Sequence, residues 1–306
     1  MQGDTRLAEL GSIFRQKEVD VTNTLGVGFY EYFRSVFNDP LRFDEYTKFC
    51  KRVFDLTGAR KKKVLDLGCG FGLMSIHFAL FGASDVFAVD VDKQRLSVLE
   101  RVLSMLEPPL ENVHLVLGED GKIDSKDDFF DVVVMVDTIS YIKHLRTSFV
   151  EARRVLKSKG ILFISEMNNV LSLFGNTAYR RHIKAAQTRD VKLLERGIEE
   201  ILIEHPCVSL DELEKLGSTE KLNLSKKDIF WIAEASTRRQ EFNPFQLKIM
   251  LDDVGFEARV IRPLRSHTSS GPRGRIASKF FTMVALSHPI SLVVAPYFNI
   301  LALNKS

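Results

Sequence analysis

The sequence predicts an α/β fold, an open and mostly parallel sheet with helices on both faces. Two observations carry this expectation. Short apolar runs of strand length alternate with amphipathic stretches of helix length from residue 64 to residue 165, and alternation at that spacing builds βαβ units. The stretch VLDLGCGFG, Val64 to Gly72, then sets a glycine loop between the first such run and the first such helix.

The elements follow in order. Residues 1–50 read as helical, with Leu7, Leu10, Ile13 and Phe14 at helical spacing. Within them LGVGF breaks the pattern and leads into the aromatic stretch FYEYFRSVF. Val64 to Leu67 is a short buried strand, and Leu73 to Phe81 a helix closed by Gly82. Val86 to Val89 is a second strand. Asp92 caps the next helix, which carries Leu96, Leu99, Leu103 and Leu106 and is ended by Pro108-Pro109. Val113 to Leu117 and Asp131 to Val136 are the third and fourth strands, Thr147 to Leu156 a helix, and Ile161 to Ser165 the fifth strand. Residues 170–242 break the rhythm with mixed-charge helical sequence, including the pairs Ser209/Glu212 and Ser225/Asp228 at helix starts. Asn243-Pro244 opens a helix through Leu247 and Leu251 that Gly255 closes. Phe256 to Ile261 and Tyr297 to Leu303 are strands six and seven. The expected organisation is a helical N-terminal cap over 1–50, a core over 51–169, a helical insertion over 170–242, and completion of the core sheet over 243–306.

Composition narrows the function. With 45% hydrophobic and 27% charged residues the chain has an ordinary soluble make-up, and a net charge of +3 is too small to imply nucleic acid. Cys50, Cys69 and Cys207 are odd in number and far apart. They predict reduced thiols, no structural metal site and a cytoplasmic setting. The first residues, MQGDTRLAEL, hold no apolar leader core. Residues 280–303 carry no Asp, Glu, Lys or Arg, but Pro289 and Pro296 interrupt them. A helix followed by a buried strand explains this stretch better than a membrane span.

The glycine loop poses the chemical question. Its spacing is GxGxG, with Asp66 in the strand end before it. A dinucleotide fingerprint reads GxGxxG, and a pyrophosphate would not be set beside a carboxylate. The ligand must instead bring positive charge as well as a small anion. An amino-acid moiety fits, its ammonium near Asp66 and its carboxylate toward the amides of Gly68, Cys69 and Gly70. Asp90, with Val91 in VFAVDVD, ends the second strand, where a carboxylate accepts ribose hydroxyls at about 1.5–3 kcal/mol per charge-assisted bond. In LGEDG, Asp120 or Glu119 accepts an adenine amino group, and Gly121 offers a backbone amide. An amino acid, a ribose and an adenine together describe S-adenosylmethionine.

With VLDLGCGFG and VFAVDVD, the stretches FFDVVVMVDTISYI, EARRVLKSKGILFISEMNN and NPFQLKIMLDDVGF make the sequence resemble the class I S-adenosylmethionine-dependent methyltransferases, in the branch like the ubiquinone-biosynthesis enzymes. The resemblance covers roughly residues 60–168 and 243–262. It implies a Rossmann-like seven-stranded sheet whose last strand is antiparallel. It places cofactor binding on Asp66, Gly68, Gly70, Asp90 and Asp120. Two departures stand out. Tyr141 occupies a position where the family often has His, and Ser158-Lys159-Gly160 replaces the usual Pro-Gly-Gly turn.

Methyl transfer from a sulfonium is a direct displacement, so positioning is the main contribution, and a general base assists a hydroxyl or carbon acceptor. Candidates at the strand ends are Asp137, Tyr141, His144 and Glu166, Asp137 also bordering the cofactor. Asn168 and Asn169 are expected to line the acceptor. Arg180 and His182, in RRHIK, are further substrate-binding candidates, against the plainer reading of a solvated helix face. No metal-ligand spacing occurs. The basic run Arg259 to Lys279 joined to the apolar stretch suggests an anionic lipid or phosphate-linked acceptor and a peripheral membrane contact through residues 259–296.

The expected activity is therefore methylation, at oxygen, of a small-molecule, saccharide or lipid-linked acceptor. Three rival readings stand beside it. A nucleic-acid methyltransferase acting on base amines would carry an Asn/Asp-Pro-Pro-aromatic motif where this chain reads DTISY. A scaffold that binds the cofactor without turnover, or a membrane-surface partner, is the second. A nicotinamide oxidoreductase is disfavoured by Asp66 and the loop spacing.

Overall fold

The computed structural model describes residues 2–14, 40–167, 242–264 and 297–305. All of the expected insertion at 170–242 except Phe242, the break and aromatic stretch before residue 40, Cys207, Asn168, Asn169, Arg180, His182 and most of the 259–296 segment lie outside the described residues.

The described elements are α1 (Gln2–Phe14), α2 (Pro40–Thr57), β1 (Lys63–Leu67), α3 (Leu73–Phe81), β2 (Asp85–Asp90), α4 (Lys93–Ser104), β3 (Val113–Leu117), β4 (Phe130–Val136), α5 (Leu145–Val155), β5 (Leu156–Met167), α6 (Pro244–Asp253), β6 (Phe256–Ile261) and β7 (Tyr297–Asn304). They form one seven-stranded sheet in the order β3-β2-β1-β4-β5-β7-β6. The pairings β1–β2, β1–β4, β2–β3 and β4–β5 are parallel, and β7 runs antiparallel to both β5 and β6. The expected sheet is thus the observed one, last strand included.

Strand periodicity sorts the side chains into two cores. On one face Val64, Val86, Val132, Val134 and Phe163 meet Val53 and Phe54 of α2, Ile76 and Phe78 of α3, and Leu99 of α4. On the other, Leu65, Val133, Leu162 and Ile300 meet Phe149 and Val155 of α5 and Leu247 and Leu251 of α6. The result is a three-layer sandwich in which the central strands are apolar on both faces, as a parallel sheet requires. Asp66 shares the Val64 face, so a carboxylate is set into the α3 side of the core.

Several boundaries differ from the sequence expectation, each for a local reason. The expected division at residue 50 falls inside α2, which runs on to Thr57; the Thr57 hydroxyl bonds back to the carbonyls of Val53 and Phe54, and Gly58 follows at φ 59°. The α4 helix stops at Ser104, two residues before Leu106, which is nonetheless fully buried. α5 starts at Leu145 and stops at Val155. β5 is longer than the expected Ile161 to Ser165 because Leu156 already pairs with Phe130. Ser158-Lys159-Gly160 is an irregularity within that strand, with Lys159 at φ 60°. Gly160 is required there, since a Cβ would lie 2.8 Å from the Lys157 carbonyl oxygen.

Candidate cofactor site

The order β3-β2-β1-β4 reverses direction between β1 and β4, so loops following β1, β2 and β4 diverge around one crevice at the C-terminal edge of the sheet. The glycine loop occupies that edge. Gly68, Gly70 and Gly72 have φ of 75°, 56° and 73°, a left-handed conformation that L side chains rarely adopt. The loop is stitched to β2, because the N–H groups of Gly68 and Cys69 both donate to the Val89 carbonyl at 2.8 and 2.9 Å. Gly68 also lies against β4: a Cβ there would sit 2.1 Å from Thr138 Cγ2, and the Thr138 hydroxyl donates to the Gly68 carbonyl at 3.0 Å. Among the described residues only Arg95 Nη1, at 3.9 Å, comes near the corresponding point on Gly70.

Asp90 organises the loop. One carboxylate oxygen accepts the Gly70 N–H at 2.7 Å and the other accepts the Asp92 N–H at 2.9 Å. A carboxylate has about four acceptor sites, so one position on each oxygen is left for the expected pair of ribose hydroxyls. Asp92 in turn caps α4 by accepting from the N–H groups of Gln94 and Arg95, as its position before the helix predicts. Arg95 lies 3.4 Å from Asp92 and its guanidinium stands 5.6 Å from the centre of the Phe71 ring, which roofs the loop with a cation. Val91 is half-buried beside these groups.

Asp66 has a role the sequence did not suggest. Its side chain is only 2% exposed. It accepts the Ser75 hydroxyl at 2.6 Å, and the Ser75 backbone N–H also favours its charged form. Gly72, at the N-cap of α3, has no side chain to give, so Asp66 reaches from the strand to satisfy the helix start. Burial raises its pKa to about 7, the Ser75 hydroxyl works against that rise, and the Asp90 charge adds to it. The Cys69 thiol is raised well above its ordinary value by burial and then by the Asp66 and Asp90 charges, so it stays protonated.

At the next strand end, Asp120 accepts the Lys143 N–H at 3.1 Å and so ties the turn after β3 to the loop before α5. Glu119 is exposed and lies 3.8 Å from Lys122. Gly121, at φ 78°, faces the Cβ of His144, which is itself exposed just before α5. Asp137 holds φ 53°, and its N–H donates to the Ser165 carbonyl. Tyr141 closes a turn by donating its N–H to the Thr138 carbonyl. Glu166 is 1% exposed, and its carboxylate receives the Ser140 N–H at 3.4 Å. The fold therefore gathers Asp66, Gly68, Cys69, Gly70, Asp90 and Val91 at one end of the crevice. Asp120, Gly121 and His144 meet beside it, and Glu166 is joined to the Asp137–Tyr141 loop. Ser75, Thr138 and Arg95 are the contributors that sequence reasoning missed. A hydroxyl contacting a residue far away in the chain leaves no periodic signal.

Residues 65–164 match a family described as a methyltransferase domain. Over these residues the chain is similar to the class I S-adenosylmethionine-dependent methyltransferases. A Bacillus subtilis protein that carries a methyltransferase name, YqeM, is 30% identical to the chain over 139 residues, 44% of this chain and 53% of YqeM. A ribosomal protein L11 methyltransferase of Streptococcus pneumoniae is 30% identical over 103 residues, 33% of this chain and 30% of that protein. The chain thus spans about half or less of the length of these relatives. A chain in the complex of the Haloferax volcanii Trm112 methyltransferase activator with a methyltransferase superposes with a TM-score of 0.54 at 10% identity, covering 90% of this chain and 97% of that one. That likeness is one of fold. S-adenosylmethionine is the cofactor of this domain class. The site fits it: Asp90 retains acceptor capacity at the crevice.

Proposed function

We propose that the chain transfers a methyl group from S-adenosylmethionine to an oxygen of a small-molecule, saccharide or lipid-linked acceptor. The observation that carries the cofactor half of this reading is the Asp90 carboxylate, fixed by two backbone N–H groups so that it faces a ribose without reorganising. Asp66 and the glycine loop hold the amino-acid end, and Asp120 and Gly121 border the base.

Bound S-adenosylmethionine supplies an electrophilic methyl group on a sulfonium. The chain's task is alignment of an acceptor oxygen behind that methyl group, which accounts for about 7–11 kcal/mol in well-oriented reactions. In this reading Tyr141, Glu166, Asp137 or His144 takes the acceptor's proton, and Asn168 and Asn169 line the acceptor. Glu166 supports this reading because its carboxylate stands at a strand end and is tied by the Ser140 N–H to the loop that carries Asp137 and Tyr141. The basic run before the apolar stretch supports an anionic or lipid-linked acceptor. A protein acceptor is the second reading, favoured by the similarity to ribosomal protein L11 methyltransferases.

Methyl-labelled S-adenosylmethionine incubated with the protein and fractionated extract separates these readings. Label in a lipid or small-molecule fraction, stable to acid and base as an ether, is the expected result. Label in ribosomal protein would replace the first reading by the second, and label in RNA would overturn both.

A further inference from the structure

The Asp66–Ser75 contact is more than a helix cap. Ser75 is fully buried, and its hydroxyl donates to the Asp66 carboxylate at 2.6 Å. That carboxylate sits at the end of β1, and the five-residue loop 68–72 is clamped between the two. Among the described residues the groups acting on Asp66 are Asp90 of β2 and Ser75 of α3, with the Cys69 thiol of the loop beside it and Arg95 of α4 acting on that thiol. β4 sets Val134 alongside Asp66. α3 brings the Ser75 hydroxyl; its one titratable residue, His77, is turned to Thr47 of α2. Two buried acids thus lie close together, and the Ser75 hydroxyl is the side-chain donor to Asp66 among the described residues.

We propose that Ser75 is a positioning residue for the cofactor: its hydroxyl favours and orients the carboxylate form of Asp66 that a cationic ligand on the glycine loop requires, so that cofactor binding draws a proton off Asp66. This rests on the S-adenosylmethionine reading above. The reasoning is electrostatic. Without the ligand, burial and then the Asp90 charge favour the protonated carboxyl, and Asp66 titrates at about 7. A ligand that brings sulfonium and ammonium charges favours the carboxylate. By linkage, the same ligand must bind more tightly as pH rises through that titration. The proton leaves to solvent, and no other bond changes. Removing the Ser75 hydroxyl removes the main group opposing protonation, so Asp66 ionises only at higher pH.

The test is calorimetric titration of S-adenosylmethionine into the full chain and its Ser75→Ala, Ser75→Thr and Asp66→Asn variants, from about pH 6 to about pH 9, in buffers of different ionisation enthalpy. Wild type should release a proton on binding near neutral pH and bind more tightly as pH rises. Ser75→Ala should bind about tenfold more weakly at neutral pH, because loss of the hydroxyl moves the Asp66 titration to higher pH, and should recover toward wild type at the alkaline end. Ser75→Thr should follow wild type, and Asp66→Asn should show no proton release. Parallel wild-type and Ser75→Ala profiles would mean a merely structural serine and overturn the proposal, as would wild-type binding without proton release. A wild type that does not bind S-adenosylmethionine at any pH would instead overturn the cofactor reading on which the proposal rests.

Discussion

Acidification sets two buried groups against each other, and the size of the conflict follows from their surroundings. His77 is fully buried on α3; its Nδ1–H donates to the Leu73 carbonyl at 2.7 Å, and its Nε2 receives the Thr47 hydroxyl at 3.0 Å. Burial lowers its pKa from 6.5 to about 4, only partly opposed by the Leu73 bond. A base depressed in this way stabilises the fold fully above 6.5 and loses that contribution as pH falls toward 4. Linkage gives a loss of about 2 kcal/mol at pH 5 and about 3 kcal/mol at pH 4. Asp66 has the opposite sign. Its carboxyl is raised from 3.8 to about 7, so its cost is absent in acid and grows as pH rises, and between pH 7 and pH 5 the fold regains about 2 kcal/mol from it. Over that interval the two nearly cancel, and the wild-type profile hides both. The perturbation that exposes them is His77→Gln, followed by urea unfolding from pH 7.5 down to pH 4. The stability gap between wild type and the variant should shrink by about 3 kcal/mol across that range. A gap that stays constant would refute the assignment of a neutral, buried imidazole.

Further outcomes follow from the same geometry. Asp66→Asn should be more stable than wild type above neutral pH, by up to about 4 kcal/mol, and lose that advantage in acid; urea midpoints at two pH values check it. Asp90→Ala should abolish measurable S-adenosylmethionine binding by calorimetry, with circular dichroism unchanged, because each charge-assisted bond it forms contributes about 1.5–3 kcal/mol. Gly68→Ala drives a Cβ into Thr138 at a positive φ and should lower stability by at least about 1–3 kcal/mol; adding Thr138→Ala should recover only part, since the backbone strain remains. Asn304→Ala leaves the carbonyls of Arg153, Leu156 and Lys157 without their shared amide donor and should cost about 1–3 kcal/mol in thermal or urea unfolding.

The legible parts of this chain were those with local signals. β3 and β6 lie within the expected residues because alternation and flanking turns fix a short strand. Asp92 and Asn243 cap their helices as their positions predict. The antiparallel β7 came from resemblance, since its partner β5 lies more than a hundred residues away and β6 lies across residues 265–296. Asp66 shows where sequence reasoning stops. Its presence before the glycine loop announced a cationic ligand, but the donor that holds it comes from the second half of a βα unit, through a serine indistinguishable from any other helical serine. The long β5 was missed for a similar reason: Leu156 ends an amphipathic helix pattern, and only pairing with Phe130 makes it a strand residue.

The position of β7 has a consequence for how the chain is made. It lies in the interior of the sheet, bonded on one side to β5 and on the other to β6, while β6 has no other neighbour among the described strands. During translation, the β5 edge that β7 will pair with waits through well over a hundred residues of synthesis, and β6, packed on α6, has no strand partner until then among the described strands. Both are recruited together, at the moment residues 297–304 clear the ribosome. A nascent chain paused before that point would present an apolar, unpaired ledge to chaperones, and release from them should coincide with the arrival of one eight-residue strand.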